Sequence, residues 1–562
     1  MPSRSRALNA VARLTAARSA TITPGARSRA PTFGASSLSW LALVASVACS
    51  SSTSGAQPPV DAGSDATLDV STDSAPACGP GASIPKYARS PGADLTFPSG
   101  FLFGAASAGM QIEKGLVHAD WYQWAAVPGH VQNGDKPDDG PDAFSHFDDD
   151  VKALSDMSLG AYRFSIEWSR VFPTKDSFDK NTPDSAALAT YHALLKKLRD
   201  AKIRPFVTLH HFATPDYLDD LSKPNEPQTW ERPEMQASFA EWCKRMGKEF
   251  GGEVDDWLTV NEPMILLIGS YGVKKHPPGS NLDLDRVFAA AKKLIRAHAA
   301  AYDALHEGDT VDAGTGHAVA VSIAQHNRIF FPRDPCEPGD VAAAKTVDYV
   351  WNEWLYNAVV FGDWDDDLNG DYTGPNDRKA DPALKGKVDF IGVNYYGNTV
   401  ISAELKLKYV GGFPTYEGMP DDLAKTDMNW DIYPQGFRPI LKQLAKYKLP
   451  IYVTENGIGD QQDKNKARYL AEHLWEIGRS IADDGVDVRG YFYWSLTDNF
   501  EWDHGYCPRF GLYRVDYGSA SRPRKPTAAA PVYQQIASTR KLQASSIDAL
   551  PAYAPPILCP AP

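Results

Sequence analysis

Two short stretches decide how this chain folds: "WLTVNEP" (Trp257–Pro263) and "IYVTENG" (Ile451–Gly457). Each is an apolar and β-branched run that leads into a glutamate and an asparagine, with the asparagine first in one stretch and the glutamate first in the other. A strand that pointed Glu262 or Glu455 into an apolar core would suffer a large desolvation penalty. We therefore expect both strands to end at the mouth of one pocket that uses two carboxyl groups.

Further runs of this kind alternate with helical patterns between Leu95 and about Arg540. The eight candidate strands read "FLFGAAS", "AYRFSIEW", "RPFVTLHH", "DDWLTVN", "AVAVSIAQ", "KVDFIGVNYY", "PIYVTE" and "RGYFYWSL". The segments 186–201 and 468–484 repeat apolar residues with the helical period. Eight strands that alternate with helices predict the α/β class and a closed (β/α)8 TIM barrel over residues 95–540, with its functional residues at the C-terminal strand ends.

Polar and aromatic side chains cluster at these strand ends. In chain order they are Gln111, Arg163, His211, Asn261, Glu262, Asn394, Tyr395, Tyr396, Glu455, Asn456, Trp494, Asn499, Glu501 and Trp502. Taken singly, His211 and Trp494 are more typical of a barrel core, and Arg163 of a structural ion pair. Gathered at one mouth, amides, indoles and carboxylates suit a polyhydroxylated ring. Two glutamates suit acid/base and nucleophilic cleavage of a glycosidic bond.

The composition excludes some classes of partner. A net charge of −13 over 562 residues argues against nucleic acid, which requires a basic surface. None of the six cysteines has the spacing of a metal site. Cys78 and Cys559 flank the predicted barrel and could join its ends, although the sequence leaves the pairing open. The oligomeric state is left open as well.

The N-terminal region has the pattern of an export signal. Residues 1–60 contain six arginines and no acidic residue. The apolar run Leu38–Ala48 is too short to span a membrane. Cys49 follows directly, as at a bacterial lipoprotein cleavage site, although Ser46 replaces the usual aliphatic residue. We therefore predict a lipoprotein signal over residues 1–48 and a lipid anchor on Cys49. An ordinary cleavable signal and a misassigned start codon are the alternatives.

Two flanking segments lack the pattern of a packed domain. Residues 49–94 are rich in Ser, Thr, Ala, Gly, Pro and Asp, so we predict a disordered tether there. Residues 541–562 are predicted to be a C-terminal tail. Together with the signal, the tether predicts a globular domain held at the cell envelope, or otherwise a periplasmic or secreted one.

The ordered motifs resemble those of glycoside hydrolase family 1, the β-glucosidase family. "TVNEP" (Thr259–Pro263) and "VTENG" (Val453–Gly457) look like its two signature motifs. Supporting stretches are "FPSGFLFGAASAGMQIE", "YRFSIEWSR", "PFVTLHHF", "DFIGVNYYG", "DIYPQGFR" and "WSLTDNFEWDHGYCPRFGLYRVDY". They follow in family order over about residues 95–532, which is nearly all of the predicted barrel.

This resemblance implies a retaining β-glycosidase without metal or cofactor, in which Glu262 is the acid/base and Glu455 the nucleophile. It implies that the terminal sugar is held by Gln111, His211, Asn261, Trp494, Glu501 and Trp502. Tyr396 and Arg163 would contact the nucleophile and keep its pKa low, while Asn394 would line the same wall. Trp430 resembles an aromatic platform under the leaving group. The neighbouring negative charge would raise the pKa of Glu262.

Departures from the family pattern concern the rim of the pocket. "HFA" (residues 211–213) stands where many members have His-Trp-Asp, and Lys114 stands where glycine is usual. Glu501 stands where members that cleave phosphorylated sugars have serine, so the resemblance implies a neutral sugar. Two other functions share the sequence pattern: a transglycosidase that uses the same covalent intermediate, and a non-catalytic sugar-binding protein of the envelope.

Overall fold

The computed structural model describes residues 78, 85, 87–223, 226–279, 284–403, 407–410, 413–416 and 423–559. The predicted signal over residues 1–48, the predicted anchor Cys49 and most of the predicted tether lie outside the described residues. Among the helices that are described, none combines the length and the hydropathy needed to cross a bilayer.

Eight parallel strands close into a barrel in chain order, which confirms the predicted (β/α)8 fold. The strands are β1 (Leu102–Ala106), β2 (Ala161–Ser165), β3 (Arg204–Thr208), β4 (Asp256–Asn261), β5 (Ala320–Pro332), β6 (Ile391–Ile401), β7 (Ile451–Asn456) and β8 (Val488–Trp494). Pairing of β8 with β1, from Gly490 opposite Leu102 to Trp494 opposite Ala106, closes the barrel. Each strand overlaps one of the eight predicted runs.

A long helix follows each strand. These helices are α1 (Phe147–Asp156), α2 (Ser185–Asp200), α3 (Met235–Phe250), α4 (Leu284–Gly308), α5 (Pro338–Asp348), α6 (Phe437–Leu444), α7 (Lys466–Ala482) and α8 (Ala529–Thr539). Asp184 caps α2 by accepting hydrogen bonds from the backbone N–H groups of Ala186 and Ala187. The predicted helical segments 186–201 and 468–484 therefore correspond to α2 and α7.

Aromatic side chains fill the interior of the barrel. The ring of Phe206 lies 4.8 Å from that of Phe492 and 5.2 Å from that of Tyr452. Leu258 and Phe390 belong to the same buried cluster. Since a barrel of eight strands leaves room only for packed side chains, this plug leaves the functional residues to the C-terminal mouth.

The ordered domain begins earlier than the tether prediction over residues 49–94 implies. Ser90 donates its backbone N–H and its hydroxyl to the Glu476 carboxylate, at 3.0 and 2.6 Å. The indole of Trp475 donates to the carbonyl of Ser90 at 2.8 Å. Glu476 is buried in α7 and needs such donors, so residues 87–94 are packed against the barrel rather than disordered.

The disulfides differ from the pairing of Cys78 with Cys559 that the sequence left open. Cys78 bonds to Cys336, and Cys507 bonds to Cys559. Cys559 therefore joins the C-terminal segment to the loop after β8 and not to the N-terminal segment. The predicted C-terminal tail also begins with ordered structure, since Lys541–Leu542 pairs with Leu95–Thr96 as a small antiparallel sheet.

Candidate active site

Glu262 lies in a sharp turn between the end of β4 and the following short helix Pro263–Leu267. Its backbone is left-handed, with φ 42° and ψ 63°, and its N–H donates to the carbonyl of Ala324 at 2.7 Å. Such a backbone is uncommon for a side-chain-bearing residue, and strained residues of this kind cluster at functional sites. The turn leaves the Glu262 carboxyl at the mouth of the barrel, where it lines a pocket.

Glu455 is a residue of β7 and is held by two donors. Arg163 Nη1 donates to Oε1 at 2.6 Å, and the Tyr396 hydroxyl donates to Oε2 at 2.9 Å. Arg163 is itself fixed, because it donates from Nη2 to Asn261 at 2.7 Å and from Nε to Thr208 at 3.0 Å. Side chains from four other strands therefore orient one carboxylate.

Asn394 links the two glutamates. Its amide nitrogen donates to Glu262 Oε1 at 2.9 Å and to Asn261 Oδ1 at 3.0 Å. Its carbonyl oxygen accepts from the Thr454 hydroxyl at 2.6 Å. Sequence reasoning missed Thr454 and Thr208, although Thr454 stands beside Glu455 in "VTENG". Their hydroxyls complete the hydrogen bonding of the groups that touch the carboxylates.

The "VTENG" motif also ends in a glycine for a steric reason. A Cβ on Gly457 would overlap the carbonyl oxygen of Trp494. This close approach lets the loop after β7 pass beside the end of β8, so that Glu455 and Trp494 line the same pocket.

The pKa values of the two carboxyl groups are unequal. Burial raises the pKa of Glu262 well above its usual range, and the negative charge of Glu455 adds to the rise. Burial also raises the pKa of Glu455, and the charge of Arg163 with the hydrogen bond from Tyr396 offsets part of that rise. The predicted low pKa of Glu455 is therefore wrong, since desolvation outweighs the favourable partners. Glu262 is still the group that holds its proton more strongly.

A second group of polar side chains, centred on Glu501, lies in the same pocket as Glu262 and Glu455. Gln111 Nε2 donates to the carbonyl of Phe500 at 2.9 Å and to Glu501 Oε2 at 3.3 Å. Asn499 donates to the same Glu501 oxygen at 2.7 Å. Burial, together with the charge of Glu455, raises the pKa of Glu501 to about 8. Within the described residues, the buried Oε1 of Gln111 has no hydrogen-bond partner, so it is available to a ligand hydroxyl.

His211 is held in one tautomer beside two indoles. The Asn261 amide donates to His211 Nε2 at 3.1 Å, and burial lowers the pKa of this histidine well below its usual range. The neutral ring therefore carries its proton on Nδ1, which no described residue accepts. Its plane lies 15° from that of Trp494 and 17° from that of Trp502, with centroids 5.6 and 6.2 Å apart. One N–H donor among stacked rings suits a hydroxyl of a sugar.

The structure brings the predicted site residues together. The predicted residues that line the pocket are Gln111, His211, Asn261, Glu262, Tyr396, Trp430, Glu455, Trp494, Glu501 and Trp502. Arg163 and Asn394 lie behind this surface and hold the two glutamates.

Sequence reasoning missed a second part of the lining, which comes from loops and short helices outside the eight strands. These residues are Phe212, Ile265, Ile268, Gly269, Val273, Lys275, His276, Trp351, Met428, Asp503, His504 and Phe510. Asp503 and His504 could have been found from their position directly after Trp502, and Asp503 pairs with Lys275 at 3.1 Å. Lys275 and His276 are polar but lie away from the predicted strand ends, and most of the remaining residues are apolar and of a type that is usually structural.

In the described part of the chain, one carboxylate cluster could hold a metal ion. It consists of Asp365, Asp367 and Asp377, whose oxygens lie within 4.8 Å of one another. None of these three residues lines the pocket.

The pocket itself offers two carboxyl groups of unequal pKa, flanked by amides, an imidazole and indoles at the mouth of a (β/α)8 barrel. These features define the class of glycosidases that act through a pair of carboxyl groups.

Comparison with known proteins identifies the family. The family described as glycosyl hydrolase family 1 matches residues 93–542, and the chain belongs to this family. A β-galactosidase of Pyrococcus woesei is 30% identical over 514 residues, which cover 80% of this chain and 99% of that protein. β-Glucosidase A of Thermotoga maritima is 32% identical over 450 residues, which cover 76% of this chain and 94% of that protein.

Solved structures agree with this assignment. A β-glycosidase from Pyrococcus horikoshii superposes with a TM-score of 0.68 and 29% identity, covering 81% of this chain and 98% of that one. The family 1 β-glucosidase of Thermotoga maritima gives the same score and identity, covering 80% and 99%. The chain is thus a retaining β-glycosidase, an O-glycosyl hydrolase. The relatives give no support to a transglycosidase or to a non-catalytic sugar-binding protein.

Proposed function

We propose that this protein releases a terminal, neutral β-linked sugar, with Glu455 as the nucleophile and Glu262 as the acid/base. The hydrogen bonding of the two carboxyl groups carries this assignment. Glu455 accepts from Arg163 and Tyr396, whereas Glu262 accepts from the neutral amide of Asn394. A cationic donor favours the ionised form of its partner, so Glu455 is the carboxylate and Glu262 the carboxylic acid.

The first step forms a glycosyl-enzyme. Glu455 attacks the anomeric carbon from one face of the sugar, and the bond to the leaving oxygen breaks as Glu262 protonates that oxygen. The Arg163 guanidinium keeps Glu455 oriented, and the Tyr396 hydroxyl holds the second carboxylate oxygen in place. The leaving group departs as an alcohol.

The second step returns the enzyme to its starting state. Ester formation removes the negative charge of Glu455, which is one of the causes that raise the pKa of Glu262. Glu262, which gave up its proton in the first step, stays ionised and takes a proton from the water that attacks the anomeric carbon, while the bond from that carbon to Glu455 breaks. Two displacements at one carbon restore the original anomeric configuration, so the sugar leaves as the β-anomer.

The sugar is held by groups that pair with hydroxyls. Gln111 Oε1 accepts, His211 Nδ1 donates, and the indoles of Trp494 and Trp502 provide apolar faces. Because relatives are named as β-glucosidases and β-galactosidases, we propose that the substrates are β-glucosides or β-galactosides. The carboxyl of Glu501 in this half of the pocket would repel a phosphate or carboxylate on the sugar whenever it is ionised.

Proton NMR of the first turnovers on an aryl β-glucoside and an aryl β-galactoside tests the proposal. The released sugar should appear first as the β-anomer and then mutarotate to the equilibrium mixture. Initial α-anomer would contradict the assigned pair, and no release from either glycoside would reject the substrate class. Glu455→Gln is the control for contaminating activity.

We also propose that the protein is exported and held at the cell envelope by a lipid on Cys49. The basic and apolar N-terminal pattern supports export. The disulfides Cys78–Cys336 and Cys507–Cys559 support an oxidising compartment. Labelled palmitate should be incorporated by the native protein and not by Cys49→Ala, which should leave the membrane fraction. Equal labelling of both proteins would reject the anchor.

A further inference from the structure

The last ordered segment of the chain lies beyond the family match, which ends at residue 542. Residues Pro551–Cys559, here called the C-terminal strap, form neither helix nor strand. They contact the loops that follow β6 and β7, and the disulfide Cys507–Cys559 joins them to the loop after β8. All three loops leave the C-terminal ends of their strands, which is the side of the barrel that carries the pocket.

Asp427, in the loop after β6, is the main contact of the strap. The backbone N–H of Ile557 donates to Asp427 Oδ1 at 2.9 Å, and that of Cys559 donates to the Asp427 carbonyl at 2.8 Å. The second carboxylate oxygen of Asp427 accepts from the backbone N–H of Gln461 at 2.6 Å. One aspartate therefore joins the strap to two of the three loops.

The strap has a second anchor at the start of α7. Asn465 and the backbone of Ala554 exchange two hydrogen bonds, at 2.8 and 3.0 Å. The Tyr553 hydroxyl donates to Glu472 Oε2 at 2.7 Å. Because α7 packs against the barrel, these contacts give the strap a rigid base. The strap is thus fixed at both ends, by α7 and by the disulfide.

The loops after β6 and β8, which the strap joins, contribute side chains to the pocket. Asp427 directly precedes Met428 and lies three positions before Trp430, and both of these residues line the pocket. Cys507 lies three positions before Phe510, which lines it too. The rings of Trp430 and Phe510 are 6.3 Å apart, and Trp430 lies 5.6 Å from the ring of Tyr396. One wall of the pocket therefore stands on the two loops that the strap joins.

We propose that the C-terminal strap determines specificity for the leaving group, because it positions Met428, Trp430 and Phe510 as the surface on which that group packs. This inference rests on the proposed function and on the family resemblance, which implies that Trp430 lies under the leaving group. Asp427, Cys507 and Cys559 are positioning residues that touch no reacting atom. The sugar half of the pocket is built by hydrogen bonds among Gln111, Asn499 and Glu501, and these contacts are made without the strap.

Removal of the disulfide gives the first test. Cys507→Ser/Cys559→Ser is compared with Cys78→Ser/Cys336→Ser, which removes the other disulfide and alters no residue of the pocket lining. Each protein is assayed with a β-glycosyl fluoride, which has a minimal leaving group, and with a β-linked disaccharide of the same sugar. In the first variant, KM for the disaccharide should rise about fivefold, the worth of one aromatic contact, with KM for the fluoride unchanged. The control should change neither of the two KM values.

A second variant keeps the disulfide. Ile557→Pro removes the backbone N–H that donates to Asp427, at a position where the side chain is already exposed. It should reproduce the rise in KM for the disaccharide and spare the fluoride. An equal change with both substrates, or no change with either, would overturn the role of the strap. If the native protein hydrolysed neither substrate, the proposed function would fail instead, so the two failures are distinct.

Discussion

Arg163 and Glu455 form a buried ion pair in which Nη1 lies 2.6 Å from Oε1, and the arginine is fully shielded from solvent. A buried pair is stabilising only when its remaining donors and acceptors are satisfied. Here Asn261 and Thr208 accept from the other nitrogens of Arg163, and Tyr396 donates to the other oxygen of Glu455. The pair therefore fixes the geometry of the nucleophile and lowers the pKa that burial alone would give it.

The first prediction concerns the arginine fork. Arg163→Lys keeps the charge, but a single ammonium group cannot donate to Glu455, Asn261 and Thr208 in one geometry. We expect kcat to fall roughly 100-fold, the effect of removing one oriented donor. The pKa of Glu455 should rise as its partner weakens, so the acidic limb of the pH profile of kcat/KM should move to higher pH.

Arg204→Lys is the matched control. Arg204 makes a bidentate pair with Asp256 at the start of β3 and β4, at the opposite end of the barrel from the pocket. This substitution should lower the melting temperature without moving the acidic limb. If both variants moved the limb equally, the effect of Arg163 would be a general loss of stability and not a role in holding the nucleophile.

The second prediction concerns the nucleophile itself. Glu455→Gln keeps the size of the side chain but removes the nucleophilic oxygen, so turnover should fall by several orders of magnitude. The melting temperature should fall, because the buried Arg163 guanidinium loses its charged partner even though the amide oxygen can still accept its hydrogen bond. Stopped assays with a purified sample and calorimetry measure both quantities. Substantial activity in a pure preparation would show that another group attacks the sugar.

The third prediction separates the acid/base from the nucleophile. Glu262→Ala removes the proton donor but leaves Glu455 with its partners Arg163 and Tyr396. A substrate with an activated leaving group should still form the glycosyl-enzyme, and azide should then replace water and restore turnover. The product should be the β-glycosyl azide, identified by NMR. An α-azide, or the absence of rescue, would exclude this role for Glu262.

Much of this site could be predicted from the sequence because strand ends are fixed by the fold. The runs that end in Glu262 and Glu455 are strands β4 and β7, and a parallel barrel places both ends at one mouth. The direction of the Glu455 pKa could not be predicted, because it depends on how far burial outweighs Arg163. The balance between burial and the charge of Arg163 depends on how deeply Glu455 is buried, which only the structure shows.

The rest of the pocket could not be predicted because most of its residues come from loops and short helices between the strands and follow no chemical pattern. Met428 and Phe510 are apolar side chains of the kind that usually fill a core, and only the packing of the loops brings them to the pocket. The disulfide partners of Cys78 and Cys559 are set by the same loop packing, since spacing along the chain does not determine pairing. Ser90 looked like part of a polar tether because its partner Glu476 lies 386 positions away along the chain.

The last prediction is that the acid/base lowers stability at alkaline pH. Burial and the charge of Glu455 raise the pKa of Glu262 well above its usual range, so the folded protein favours the protonated form. The stability that Glu262 contributes is then full at pH values below its unfolded pKa of about 4.3, and it is lost as pH rises through the higher folded pKa. Glu262→Gln cannot ionise, and its carbonyl can still accept from Asn394. The variant should match the native melting temperature near pH 4.5 and exceed it by a few degrees at pH 8.

Glu234→Gln, at an exposed carboxyl, is the control and should show the same difference at both pH values. If the difference in melting temperature between Glu262→Gln and the native protein did not grow with pH, the ionisation of Glu262 would not destabilise the folded protein.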